Sequence, residues 1–288
     1  SLGYLSYFPL QWFVFSGFHA LAFLPLTFGG ALYFWEKGDK KLYWVSLFLS
    51  LFVKEEVGFL VAAFGIWALI KDKKRWKEAF LTIAIGITWT FLMVGVIMPA
   101  IGGGEYRHSG FGETGESVFE VLQNIAKNPT LLLKGFLDSP VKLKTMFVSS
   151  WPWGFLFAFS PTTLIPIFEQ FGARFLDYSK TIRWTPYFAY SLPVAVLTAW
   201  GSIYGFQNLT RLFLKKKKEK RYLFGLFTGF ILFFLILFQQ VILHAPINSI
   251  FKKSFYRKEA WMQDNRKVLS CIPSGASNPS YLSARETS

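Results

Sequence analysis

Long apolar stretches alternate with short polar ones along most of this chain. Residues 20–35, 79–98, 187–209 and 222–244 contain no Asp, Glu, Lys or Arg. Each stretch approaches or exceeds the roughly 20 apolar residues that a helix needs to span the hydrocarbon of a bilayer. Apolar runs of this length predict membrane helices.

Residues 42–70 show a different pattern, in which two apolar arms flank three ionisable residues. The arms are 42–53 and 57–70, and Lys54, Glu55 and Glu56 stand between them. At about 1.5 Å per residue each arm is short for a full span, so we expect short tilted helices or a pair shielded by protein. Ionisable groups inside such a stretch usually face a bundle interior or a wet cavity. The pattern therefore indicates a polar site near one face of the bilayer.

The composition supports a membrane protein. Hydrophobic residues make up 52% of the chain and aromatic residues 20%, and the mean hydropathy is +0.35. A soluble domain of 288 residues does not need this much apolar surface. The single cysteine, Cys271, excludes an internal disulfide framework and a cysteine-based zinc site. We predict an all-α, polytopic bundle of transmembrane helices that binds the lipid bilayer.

The net charge of +14 is concentrated in short loops between the apolar stretches. Residues 36–41, 71–77 and 211–221 hold 15 of the 31 basic residues and only 4 acidic ones. Basic loops beside membrane spans mark the cytoplasmic side. This placement favours a topological role over binding of nucleic acid, and no nucleic-acid partner is expected.

The topology follows from the sides of these basic loops. The turn at Lys54 and the loop 99–145 then lie on the outer side. Residues 147–171 must enter and leave on that side, since one straight span would put the basic run 211–221 outside. Pro161 disfavours helix at Ser160, so we expect a hairpin of two short helices. The bundle then has about eight membrane segments, including short helices and hairpins.

The predicted organisation is a transmembrane helical domain at 1–244 and an extracytoplasmic tail at 245–288. We interpret this tail as the start of a truncated soluble region. The external loop contains two amphipathic stretches, 118–125 and 130–137, which we expect to lie along the outer interface as helices.

Basic and aromatic residues collect on the outer side in this topology. Lys54, Arg107, His108 and Arg183 are candidates to bind the phosphate of a lipid, since cations form strong charge-assisted hydrogen bonds with phosphate. The apolar walls would meet the lipid tail. Carboxylates remain for proton transfer.

Five segments along the chain have a distinctive sequence: LGYLSYFPLQWFVFSGFHALAF, LFVKEEVGFLVAAFGIWAL, YRHSGFGE, PWGFLFAFSPTTLIPIF and VLSCIPSGAS. They resemble the predicted multi-pass membrane proteins grouped as domain of unknown function 2079. The order and spacing agree over nearly the whole chain, and the lysine-acid-acid turn is the most specific element.

This family is similar to the C-type glycosyltransferases (GT-C), integral membrane enzymes that take sugars from polyprenyl-phosphate carriers on the outer face. The resemblance implies a multi-pass protein of the prokaryotic plasma membrane with a polyprenyl-phosphate sugar donor. It assigns Lys54 to the carrier phosphate. GT-C enzymes carry their catalytic acid in the first external loop, which this chain lacks. The resemblance thus implies a fragment, inactive alone, whose catalytic acid lies upstream.

Within the chain itself, Glu55, Glu56 and His19 are the catalytic candidates. Each has a second interpretation. Lys54 and its neighbouring acids can form an interfacial ion pair with a snorkelling lysine, and Glu55 with Glu56 can bind a divalent cation. His19 can be a polar cap on its apolar segment. No motif for a resident metal is present.

The sequence leaves functions from different classes open. One is a sugar transferase that uses a polyprenyl-phosphate donor. Another is a transporter or flippase with the Lys54 turn as its coupling site, and a third is a non-catalytic membrane partner. A transporter is expected to show inverted repeats or mid-membrane polar residues in several spans, and the sequence has neither.

Overall fold

The computed structural model contains only helical regular elements in the part of the chain that it describes. The described residues are 7–15, 19–102, 111–115, 118–179, 181–213 and 218–243.

The helices of the first half are short and follow one another closely. A 3₁₀ turn at Ala20–Phe23 precedes α2, and a π-helical turn at Met93–Ile97 joins α5 to α6. The α-helices are α1 (Phe8–Phe15), α2 (Leu24–Lys37), α3 (Lys40–Leu51), α4 (Val57–Lys71), α5 (Trp76–Leu92) and α6 (Met98–Gly102).

The second half combines short helices with two long ones. They are α7 (Val118–Lys127), α8 (Thr130–Leu137), α9 (Pro140–Ser150), α10 (Leu164–Phe175), α11 (Ser191–Phe213) and α12 (Lys218–Ile242).

The two arms around the Lys54 turn are the helices α3 and α4. Gly38 ends α2 with φ +78°, a left-handed conformation that glycine adopts without strain. Asp39 then caps α3, because its side chain accepts a hydrogen bond from the Leu42 amide at 3.1 Å. The residues between Leu51 and Val57 form the polar turn.

The stretch between α9 and α10 differs from the expected pair of short helices. Helix α9 already ends at Ser150, and the chain runs through three 3₁₀ turns before α10 begins. Pro152 and Pro161 lack the amide hydrogen that an α-helix needs. Gly154 and Phe155 have φ values of +54° and +55°, which no right-handed helix contains.

This irregular stretch packs closely on α11. A Cβ atom on Gly205 would lie 1.7 Å from the carbonyl oxygen of Leu156, so only glycine permits the approach at this position.

Two helices in the described part of the chain are long and apolar enough to cross a membrane. They span Lys73–Ile101, which contains α5, and Lys220–Ile242, which lies within α12. Only 6% of the apolar window in the second helix is buried by protein. A helix that is apolar all round and little covered by the described part of its chain suits the hydrocarbon of a bilayer.

The bundle has one end at which both of its first two basic loops meet. Glu78 lies 2.6 Å from Lys40 Nζ and 2.7 Å from Arg75 Nη2. Arg75 also donates to the carbonyl of Trp35 at 2.8 Å and packs on that indole ring. Because α3 and α4 each run between this end and the Lys54 turn, the turn lies at the opposite end.

Helix α4 lies at the centre of the core. Aromatic rings from three helices pack around its buried face, and Trp67 lies 4.5 Å from Trp200 and 5.3 Å from Phe64 between ring centroids. Close contact with α5 depends on glycines. A Cβ on Gly58 would lie 2.5 Å from the Gly86 carbonyl oxygen, and a Cβ on Gly86 would lie 2.4 Å from that of Gly58.

We expect Gly86→Ala to destabilise the protein, because the added methyl group forces α4 and α5 apart. Overpacking of this kind costs about 1–3 kcal/mol, so the thermal unfolding midpoint of the full-length protein in detergent should fall. Gly229→Ala is the matched control, since a Cβ there meets nothing within 4 Å, and it should be neutral or slightly stabilising. Equal effects of the two substitutions would contradict the close crossing.

Candidate functional site

The polar turn lies where several helix ends converge. Helix α3 ends and α4 begins at this turn, while the loop between α10 and α11 supplies Asp177, Arg183 and Tyr190 to the same place. Three helices, α2, α4 and α11, begin at this end, and the N-terminus of a helix carries partial positive charge. Four charged side chains and one tyrosine lie at these helix ends, and we call them the turn cluster: Lys54, Glu56, Asp177, Arg183 and Tyr190.

A carboxylate lies between two cations in the turn cluster. Glu56 Oε1 is 2.7 Å from Lys54 Nζ, and Glu56 Oε2 is 3.8 Å from Arg183 Nη1. The Lys54 and Arg183 side chains are 13% and 8% exposed, whereas Glu56 is 27% exposed. Residues 129 positions apart in the sequence therefore share one partly buried ionic network.

Arg183 has a second acidic partner. Its Nη1 lies 2.7 Å from Asp177 Oδ2, and both side chains are almost fully buried. Burial alone would lower the pKa of Arg183, but Glu56, Tyr190 and Asp177 outweigh this effect and raise it. Arg183 consequently stays charged, with its position fixed by two carboxylates.

The ring of Tyr190 contacts both cations. Lys54 Nζ lies 4.7 Å from the centroid of its ring, and Arg183 Cζ lies 4.9 Å from it. The negative face of an aromatic ring attracts a cation at such distances. Tyr190 therefore holds Lys54 and Arg183 in place without neutralising their charge.

His19 lies beside the turn cluster through an edge contact with Tyr190, at 5.9 Å between ring centroids. Its Nδ1 accepts a hydrogen bond from the Leu21 amide at 3.3 Å. Burial lowers the pKa of His19, and the charges of Lys54 and Arg183 lower it further against the opposing carboxylates. The ring is therefore neutral near pH 7, with its proton on Nε2.

Arg174 anchors the loop that carries Arg183. Its Nε donates to the carbonyl of Arg183 at 3.0 Å, and its Nη2 donates to that of Thr185 at 2.9 Å. The Arg174 side chain is buried at the end of α10. A planar guanidinium with several fixed donors suits this task better than a lysine ammonium.

Lys142 is a second buried cation that contacts the same loop. Lys142 is fully buried, with its Nζ 2.8 Å from Asp138 Oδ1 and 2.8 Å from the carbonyl oxygen of Gly135. The ammonium also lies 4.0 Å from the Trp184 ring centroid. Burial lowers the pKa of Lys142, although Asp138 opposes this shift. Helices α8 and α9 are thereby tied to the residue next to Arg183.

The structure brings four of the sequence-predicted residues together: Lys54, Glu56, Arg183 and His19. Glu55 lies on the same turn and acts electrostatically on His19. Arg107 and His108 lie outside the described residues. Among the residues with described positions, no three His, Cys, Asp or Glu side chains form a group that could hold a metal ion.

Sequence reasoning did not single out two of the residues that shape the cluster. Tyr190 and Arg174 look like ordinary members of aromatic and amphipathic segments, and nothing local marks their contacts. Asp177 carried a signal, because it is an acid in the same short polar loop as Arg183.

Comparison with known proteins gives one family. The family model described as "Predicted membrane protein (DUF2079)" matches residues 4–278. No curated protein and no solved structure matches the chain.

We expect Arg174→Met to destabilise the protein and release the loop that carries Arg183. Each buried carbonyl left without a donor costs about 1–3 kcal/mol, so the thermal unfolding midpoint in detergent should fall clearly. Arg174→Lys should rescue little, since one ammonium cannot reproduce the spread of the guanidinium donors.

The control for this experiment is Arg211→Met, which removes an exposed arginine from α11. It should leave the unfolding midpoint nearly unchanged. A full rescue by Arg174→Lys would contradict the proposed anchoring by separate donors.

Proposed function

Since the chain belongs to the DUF2079 family of predicted membrane proteins, we propose that it is a polytopic membrane enzyme of the glycosyltransferase type. Its donor is a sugar linked to a polyprenyl phosphate, and transfer takes place on the extracytoplasmic face of the plasma membrane. The basic loops at 36–41, 71–77 and 211–221 are cytoplasmic in this proposal, and about eight segments contact the membrane. The tail 245–288 is extracytoplasmic.

The single observation that carries the proposal is the pair of buried cations at the polar turn. Lys54 and Arg183 both approach the carboxylate of Glu56, so their spacing suits an anion that bridges them. A phosphate has several oxygens that can accept from both cations at once. The helices that end at the cluster are apolar along their length, so the lipid tail of the carrier would contact apolar surface.

The chemistry requires a cationic site of this kind. The acceptor hydroxyl attacks the anomeric carbon of the sugar, and the bond from that carbon to the carrier phosphate oxygen breaks. The departing phosphate takes the electron pair and gains negative charge, which Lys54 and Arg183 stabilise in the transition state. The acceptor proton passes to a carboxylate, for which Glu55 is the candidate among the residues of the turn.

A transporter or flippase is the alternative function. It would use the Lys54–Glu56 pair as a coupling site, and such sites usually lie near the bilayer midplane between repeats. The turn cluster instead lies at helix ends, on the side opposite the contacts of Glu78 with Lys40 and Arg75. This position supports an enzyme that meets its substrate at one membrane face.

Native mass spectrometry of the full-length protein, purified from membranes, tests the donor. We expect a co-purifying polyprenyl-phosphate lipid in the parent and at least a roughly tenfold smaller bound fraction in Lys54→Ala, because a buried charge-assisted contact to an anion is lost. Lys41→Ala, which removes an exposed lysine near the start of α3, should bind like the parent.

The outcomes separate the alternatives. Carrier in none of the proteins would contradict the transferase and favour the transporter. Equal amounts of carrier in the parent and in Lys54→Ala would keep the lipid site but remove Lys54 from it.

A further inference from the structure

Glu56 occupies a position in the turn cluster that suits an external anion. Its two carboxylate oxygens face different cations, with Oε1 toward Lys54 and Oε2 toward Arg183. A bridging phosphate would present its oxygens to these two groups in the same way. Glu56 and a phosphate cannot both bridge them, because like charges at such short range repel strongly.

The cations are held more firmly than the acid between them. Asp177 and the Tyr190 ring fix Arg183, and the same ring fixes Lys54. Glu56 is the most exposed of the three ion-pair members. Its side chain makes no capping hydrogen bond at the start of α4, although the residue stands at the N-cap position. The Glu56 side chain can therefore rotate away without breaking a helix-capping hydrogen bond, and Asp177 and Tyr190 still hold the two cations in position.

Lys54 and Arg183 also have N–H donors that Glu56 does not use. Arg183 Nε is buried and has no hydrogen-bond partner within the part of the chain that the structure describes. The Lys54 ammonium carries three N–H donors, and its close contacts are one Glu56 oxygen and the face of Tyr190. A buried donor without a partner is costly, and a larger anion with more oxygens would satisfy more of these groups.

We infer that Glu56 is a built-in counter-ion that bridges Lys54 and Arg183 where a phosphate group binds, and that the phosphate displaces it. Glu56 neutralises the buried cations while no ligand is present, and it lowers the affinity for phosphate by competing with it. The inference rests on the proposed function only in naming a lipid carrier as the source of the phosphate. The recognised chemistry is a phosphate group, whether on a lipid or free.

The test is a binding titration of the full-length protein in nanodiscs. Polyprenyl phosphate is one probe, inorganic phosphate is the second, and polyprenol without phosphate reports on the tail alone. We expect Glu56→Gln to tighten binding of the phosphate-bearing probes by about tenfold, equivalent to about 1.4 kcal/mol, and to leave polyprenol binding unchanged.

Two further variants separate displacement from a general change of charge. Glu55→Gln removes the same charge from the adjacent position of the turn and should tighten phosphate binding much less. Glu56→Asp keeps the charge but shortens the side chain, so that it bridges the two cations poorly. It should also tighten phosphate binding, which a simple charge effect does not predict, and it covers the case in which Glu56→Gln fails to fold.

A double variant tests whether the tighter binding in Glu56→Gln depends on Lys54. Lys54→Ala in the Glu56→Gln background should abolish the gain, because one of the two cations has gone. Phosphate binding that is unchanged or weaker in Glu56→Gln and in Glu56→Asp would overturn the inference. Equal gains in Glu55→Gln and Glu56→Gln would overturn it as well.

The two probes also distinguish this inference from the proposed function. Glu56→Gln could tighten binding of inorganic phosphate while polyprenyl phosphate binds to no variant. This result would support the counter-ion role of Glu56 and exclude the lipid carrier. If polyprenyl phosphate binds the parent and Glu56→Gln alike, the carrier stands and the counter-ion role fails.

Discussion

Charged side chains buried among apolar helices need partners within the same chain, and this constraint organises the structure around the polar turn. An unpaired buried charge is very costly, and removing one member of a buried pair is strongly destabilising. Lys54 forms an ion pair with Glu56, Arg183 with Asp177, and Lys142 with Asp138. These three pairs are local in sequence, whereas the contact of Glu56 with Arg183 joins the polar turn to the loop between α10 and α11. Pairing of charge therefore also fixes the relative position of these two segments.

The close approach of the helices makes this pairing possible. Glycines at the α4–α5 crossing and at the contact of α11 with the 3₁₀ turns allow backbone atoms to touch. Small residues serve the same purpose in membrane bundles, where lipid tails are as apolar as the side chains and packing must supply the attraction. The helix ends then converge tightly enough for Arg174 to reach the carbonyls of Arg183 and Thr185. Packing in the apolar region and order in the polar loop are thus connected.

The turn cluster combines firmly held cations with a less confined acid. Such an arrangement keeps the charges of the cluster balanced, and in the proposed phosphate site the cations stay oriented for an anion. Aromatic faces are well suited to hold the cations, since they attract positive charge and have none of their own to compete with a ligand. The neutral ring of His19 at the edge of the cluster adds a polar group without adding positive charge.

The sequence by itself determined the helical class, the two arms around Lys54, the amphipathic helices α7 and α8, and the apolar stretch that became α12. These features depend on neighbouring residues, because apolar run length, caps and turn residues act locally. It also marked Lys54, Glu56, His19 and Arg183 by their chemistry. Only the tertiary structure decided that Glu56 lies between Lys54 and Arg183, that Tyr190 holds both cations, and that Arg174 anchors the loop. The reason is physical: the contacts of Lys54 and Glu56 with Arg183 and Tyr190 join distant parts of the chain, and the reach of Arg174 depends on how its loop folds back. Packing and the pairing of buried charge, not local propensity, select among the possible partners.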